Sequence, residues 1–154
     1  MFVDVLRKVK EVQFFALMAL LVAAEYILIL AGGLPPMMED HIGHQAFFVL
    51  RMMVFFAFAW TLAGKPLVQT LVKGGTIALT GVVTQVVFIF IGNAVGRVVL
   101  GIAVQSDTVL YIVLTISAAI NILFGAVIIS FAAWFFSKMR PKATISSKIK
   151  KRKR

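Results

Sequence analysis

The chain of 154 residues contains no cysteine and few charged side chains. The lack of cysteine excludes disulfide bonds, thiol catalysis and cysteine metal sites. Charged residues make up only 14% of the chain and hydrophobic residues 61%, whereas soluble domains are nearer one quarter charged and one half apolar. The composition therefore excludes an ordinary soluble core. The motifs G-x-x-x-x-G-K-[ST], H-E-x-x-H and G-x-S-x-G are also absent, so the sequence predicts neither an enzyme nor a cofactor.

Long apolar runs account for most of the chain. About 20 apolar residues are needed to cross ~30 Å of hydrocarbon as a helix. Four runs meet this length, and the predicted spans cover residues 14–33, 45–64, 76–97 and 108–136. The fold class predicted is therefore an all-α membrane protein, an up-and-down bundle of four transmembrane helices. The bundle forms one domain over residues 1–137, followed by a basic tail over residues 138–154.

The amino-terminal segment, residues 1–13, combines helical apolar spacing with basic side chains. This pattern predicts a short amphipathic helix at the membrane interface that leads into the first span. The basic start and the apolar run over residues 14–24 also resemble a secretory signal peptide. Because the apolar run resumes directly after Glu25, the hydrophobic segment is too long for a simple signal.

The distribution of basic residues predicts the orientation. Three lie before the first span, two in the connector over residues 65–75, and nine in the tail, while the loops over residues 34–44 and 105–107 have none. The positive-inside rule therefore places both termini in the cytoplasm. The expected location is a prokaryotic cell membrane.

Glu25 and Arg51 are the charges predicted to lie inside the spans. A charge at the bilayer centre costs at least ~2.5–3.5 kcal/mol on insertion scales, so such residues usually pair. An antiparallel hairpin of the first two spans would bring the two side chains together at similar depth. Three interpretations are open: a structural ion pair, a proton carrier or substrate ligand at Glu25, or an Arg51 side chain that reaches the outer headgroups without meeting Glu25.

Small and polar residues share one face in each of the last two spans. Gln85 and Asn121 both fall near mid-bilayer, which predicts a hydrogen bond between the helices. The open alternatives for these faces are packing within the bundle, a subunit interface and a polar pathway. The full set is Gly81, Gln85, Gly92 and Gly96 in the third span and Ser117, Asn121 and Gly125 in the fourth.

Arg97 ends the third predicted span, four residues after Asn93. With Arg51 it gives two cations against one acid in the outer half of the membrane. The pattern is compatible with an anion site, but an arginine at a span end more often reaches the headgroups.

The outer loop contains side chains that can bind transition metals. Thioethers, carboxylates and imidazoles are ligands for copper and related ions, although two histidines three apart are a weak signal. The plain alternatives are a solvated connector and a pH-responsive pair of histidines. The candidate ligands are Met37, Met38, Glu39, Asp40, His41 and His44.

The tail is dense in positive charge. Beside the inner membrane surface, each basic residue attracts anionic lipid by about 1 kcal/mol. The expected partners are therefore the lipid bilayer and its anionic lipids, and nucleic acid is a less favoured partner. The predicted lipid-binding residues are Lys148, Lys150, Lys151, Arg152, Lys153 and Arg154.

Two functions remain open from the sequence. The first is a non-enzymatic accessory or structural subunit of a membrane complex or homo-oligomer. The second is a small oligomeric transporter or channel that uses Glu25 and Arg51. The environment of Glu25 separates them, because a sealed ion pair favours a structural role and a carboxylate in a water-filled cavity favours transport.

Overall fold

The structure, a computed structural model, describes residues 2–37, 40–96, 99 and 107–139, with side chains described from residue 11 in the first helix and from residue 111 in the last. The described residues form helices and no strands. The helices are α1 (Phe2–Ala31), α2 (Ile42–Leu62), α3 (Leu67–Ala94) and α4 (Asp107–Met139). Each contains a segment that is long and apolar enough to cross a membrane.

The helix ends differ from the predicted span ends for local reasons. Helix α1 is continuous from Phe2, because no proline or glycine precedes Gly32, whose positive φ of 82° follows the helix end. The predicted interfacial helix and the first span are thus one helix. Helix α2 begins three residues earlier than predicted, where the His41 ring accepts a hydrogen bond from the Gly43 amide as an N-cap.

The predicted basic connector over residues 65–75 is mostly helical. Helix α3 begins at Leu67, with Pro66 as its N-cap, and the Pro66 carbonyl oxygen accepts a hydrogen bond from the Thr70 amide. The glycines at 74 and 75 interrupt nothing, because they lie inside α3 against α4. The link between α2 and α3 is therefore only residues 63–66.

Contacts between helices define a four-helix bundle. Helix α1 packs on α2 and α3, and α4 packs on the same two helices, so that α1 and α4 face each other diagonally. The end of α1 meets the start of α2 through Glu25 and His44, and the ends of α2 and α4 meet through Trp60 and Phe136. Successive helices therefore run in opposite directions.

Small residues allow α3 and α4 to approach closely. A Cβ added to Gly125 would lie 2.5 Å from the Ala78 Cβ, and one added to Gly74 would lie 3.1 Å from the Ala126 Cα. Gly81 is in ordinary contact with Met18 of α1. The small-residue faces are thus used for packing inside the bundle, as the small residues of membrane helices commonly are.

The predicted Gly92–Gly96 pair does not form one helix face. Gly92 is buried within α3, but α3 ends at Ala94, and Gly96 adopts a φ of 68° in the following turn. Gly96 therefore contributes a turn conformation and not a packing surface.

Candidate functional site

Glu25 is completely buried, with 0% of its side chain exposed. Its Oε1 lies 2.9 Å from His44 Nδ1, and its Oε2 lies 3.2 Å from the Arg51 guanidinium atom Nη2. Both partners belong to α2. The three side chains form a cluster, called here the Glu25 cluster, that joins α1 to α2.

The positions of these residues along their helices explain why they meet. Glu25 lies six residues before the end of α1 at Ala31, and Arg51 nine residues after the start of α2 at Ile42; at 1.5 Å per residue these are depths of about 9 and 14 Å. Side chains lean toward the N-terminus of their helix, and this end of α2 is the one beside Glu25, so Arg51 extends toward the carboxylate. His44, two turns before Arg51, shares its helix face.

His44 links Glu25 to the loop before α2. Its Nε2 lies 3.1 Å from the Pro35 carbonyl oxygen, and its Nδ1 faces Glu25 Oε1. The carbonyl oxygen can only accept, whereas each ring nitrogen donates or accepts according to the tautomer. The imidazole therefore extends the Glu25 cluster from the two helices to the loop that joins them.

The sequence identified Glu25 and Arg51 as partners but did not include His44. The predicted span began at Gln45, which left His44 in the loop. The spacing of seven residues between His44 and Arg51 was the signal that could have placed both on one face of α2. In the structure Arg51 contacts Glu25.

A cavity of about 440 Å³ adjoins the Glu25 cluster. Arg51 is the charged residue in its wall, and Gln85, Ser117 and Asn121 add amide and hydroxyl groups. The remaining wall is apolar and comes from all four helices. The volume falls within the range of roughly 300–1,000 Å³ that is usual for small-molecule sites.

The exposed wall residues show where the cavity opens. Phe48 of α2 is 51% exposed, and Val113 and Phe124 of α4 are 39% and 49% exposed. Asn121, on the same helix, is exposed as well. These exposed residues lie on α2 and α4, which indicates that the mouth of the cavity lies between these two helices.

The predicted hydrogen bond between Gln85 and Asn121 is not formed. The Asn121 amide nitrogen lies 2.8 Å from the Ser117 carbonyl oxygen, to which it donates, within its own helix. Both side chains line the cavity, which separates them. Gln85 and Asn121 therefore line a common cavity and do not form the direct hydrogen bond that their similar depth suggested.

Tyr26 lies beside the cluster and is fully buried. Its ring packs on Phe88 at a centroid distance of 6.1 Å, and its hydroxyl has no hydrogen bond among the described residues. Gln85 is near enough to the hydroxyl to interact with it. Buried hydroxyl groups usually form a hydrogen bond. The Tyr26 hydroxyl is therefore an unused donor beside the Gln85 amide, which lines the cavity.

Several predicted residues lie elsewhere. Asn93 is exposed at the end of α3, where its carbonyl accepts from Gly96. Arg97 and residues 140–154, which include the predicted lipid-binding lysines and arginines, lie outside the described residues.

The loop proposed as a metal site uses its histidines in other contacts. His41 caps α2 and His44 bonds Glu25 and Pro35. Asp40 accepts a hydrogen bond from Gln45, and Met38 and Glu39 are outside the described residues. Over residues 2–37, 40–96, 99 and 107–139, no three metal-binding side chains of His, Asp or Glu come together.

A second ion pair joins α1 to α3 at the opposite end of the bundle. Lys73 donates to Glu11, and both side chains are partly exposed. The sequence analysis placed Lys73 in a connector and assigned no partner to Glu11. Two ion pairs, one near each end, thus tie α1 to its neighbours.

Comparisons with protein-family models, curated proteins and solved structures find no match for this chain.

Proposed function

We propose that the protein is a non-enzymatic subunit of a larger membrane assembly. The observation that carries the proposal is the complete burial of Glu25 between Arg51 and His44. A proton carrier or a ligand-binding carboxylate needs access to water or substrate. The Glu25 side chain is 0% exposed between two partners from α2, which supports a role in joining α1 to α2.

The charge distribution supports an orientation with both termini in the cytoplasm, in a membrane that we propose to be a prokaryotic cell membrane. Nine basic residues follow the last span and none lies in the loop over residues 34–44. In this orientation the basic tail lies against the inner leaflet, where anionic lipids attract it. The tail then anchors the subunit beside its partners.

Asn121 supports contact with a further subunit. It is exposed near the middle of α4, its amide donates to Ser117, and no described residue donates to its oxygen. An amide that faces lipid gains by bonding a polar group on another helix, and such bonds contribute about 0.6 kcal/mol on average. A second copy of the chain is the simplest partner.

Cysteine cross-linking tests this proposal without background, because the chain has no cysteine. Asn121→Cys should form a disulfide-linked dimer in native membranes under mild oxidation. Leu123→Cys is the matched control, since Leu123 is 67% exposed at the same depth on another face of α4. No dimer from Asn121→Cys, together with no copurifying protein in mild detergent, would refute the subunit proposal.

The cavity supports a second candidate, a small oligomeric transporter or channel. Arg51 in the cavity wall would favour an anion. Reconstituted vesicles should then show a protein-dependent anion flux that Ser117→Phe blocks by filling the cavity and that Thr115→Phe, on the exposed side of α4, leaves unchanged. Absence of flux from monodisperse protein would leave the subunit role as the better proposal.

A further inference from the structure

The subunit proposal gives no role to the cavity beside the Glu25 cluster. Arg51 lines this cavity and is 22% exposed, whereas Glu25 is 0% and His44 12% exposed. Arg51 is therefore the member of the cluster that faces the cavity, and its guanidinium has more N–H donors than its contact with Glu25 uses. A guanidinium group inside a bilayer is stabilised by anionic groups beside it.

The cavity wall offers no acidic partner to these donors, because the residues that line it include no aspartate or glutamate. Around Arg51 the polar wall consists of Gln85, Ser117 and Asn121, whose amide and hydroxyl groups can donate hydrogen bonds to an anion. The cavity therefore favours one anionic group and disfavours a cation or a metal ion.

The rest of the wall selects an apolar body for the same ligand. Met18, Met52, Phe55 and Leu114 form the inner wall, and Phe48 and Phe124 flank the mouth. The aromatic and thioether groups can adapt to a flexible chain. The mouth lies between α2 and α4, so in a surrounding bilayer a molecule dissolved in the lipid reaches the cavity without crossing water.

We propose that this cavity binds a single-chain anionic amphiphile from the bilayer, with its acidic head group on Arg51 and its apolar chain passing between α2 and α4. A long-chain fatty acid has both features. A charge-assisted hydrogen bond in a site that excludes water is the strong contact, and the chain supplies apolar burial. Binding gives the Arg51 guanidinium an anionic partner on its cavity side.

Native mass spectrometry of the purified protein with oleate tests the site. Oleate should bind with one-to-one stoichiometry, and methyl oleate, which has the same chain without the charge, should bind at least about tenfold more weakly. Inorganic phosphate at equal concentration should not displace oleate. Equal retention of oleate and methyl oleate, or displacement by phosphate, would overturn the proposal.

Variants away from the ion cluster keep the test independent of folding. Ser117→Phe changes a wall residue on α4 that is not a member of the Glu25 cluster, and should weaken oleate binding at least about tenfold by filling the cavity. A thermal melt of this variant beside the original chain shows whether the fold is kept. Thr115→Phe, on the exposed side of α4, should bind as the original chain does. Arg51→Gln adds the direct test of the anion partner where its folded yield permits. Unchanged oleate binding in Ser117→Phe would contradict the site even if cross-linking at Asn121 succeeds.

Discussion

Glu25 shows how one buried charge can determine which helices join at one end of a bundle. Its carboxylate has Arg51 on one oxygen and His44 on the other, and His44 continues to the Pro35 carbonyl of the loop. The loop and the first two helices are therefore held by one network of polar contacts. Removing one member leaves the others desolvated without a partner, which costs more than the net worth of the contact itself.

A double-mutant cycle measures this coupling. Glu25→Gln should destabilise the folded protein by about 3–5 kcal/mol, because it leaves the Arg51 charge without its partner. Arg51→Gln should destabilise it by less, because His44 still contacts the Glu25 carboxylate. The double variant should recover part of the summed loss. Reversible unfolding in mixed micelles gives the free energies. Losses that add without a coupling term would show that the two side chains do not act together.

At the scale of the element, α3 packs closely on α4 through helical glycines. Gly125 and Gly75 are both helical glycines at this interface, but an added Cβ would lie 2.5 Å from Ala78 at Gly125 and no closer than 3.7 Å to any atom at Gly75. Alanine substitutions at the two positions therefore separate the steric effect of an added Cβ from the effect of replacing a helical glycine.

Gly125→Ala should destabilise the bundle by roughly 1–3 kcal/mol, as overpacking does in well-packed cores. Gly75→Ala should be neutral or stabilise it by up to about 1 kcal/mol, because alanine loses less conformational entropy on folding. Thermal melts of the two variants in one detergent give the comparison. Equal effects would indicate that α3 and α4 are farther apart than described.

The elements also show what the sequence could predict. Four apolar runs predicted four helices, because apolar length alone decides whether a helix can cross a bilayer. Helix starts were less predictable. The predicted connector over residues 65–75 ends at Gly74 and Gly75, which are packing contacts within α3. The cap at His41 starts α2 at Ile42, three residues before the predicted span, and this brings His44 into the helix.

Only part of the candidate site was predictable from the sequence. Depth along antiparallel helices suggested that Glu25 and Arg51 meet, but depth does not determine which way a side chain points. Gln85 and Asn121 were matched in depth and face a common cavity without bonding. The cavity depends on how four helices diverge, which no local pattern encodes.

At the scale of the whole molecule, orientation in the membrane is the main prediction. Asp40 is exposed in the loop before α2, and Lys65 lies in the short link between α2 and α3 at the opposite end. In intact cells a membrane-impermeant maleimide should label Asp40→Cys and should label Lys65→Cys only after permeabilisation. The reverse pattern would contradict the cytoplasmic location of both termini.

The sealed state of Glu25 is the central claim, and its reactivity toward a hydrophobic carbodiimide tests it most directly. Such reagents modify carboxyl groups that are protonated and reachable from lipid or from a membrane cavity. The positive control is Val83→Glu, which places a carboxyl group on the outer face of α3 where Val83 is 53% exposed. Peptide mass spectrometry should find that control carboxyl modified and Glu25 unmodified until the protein is unfolded. Modification of Glu25 in the folded protein at the rate of the control would contradict the structural role and favour transport.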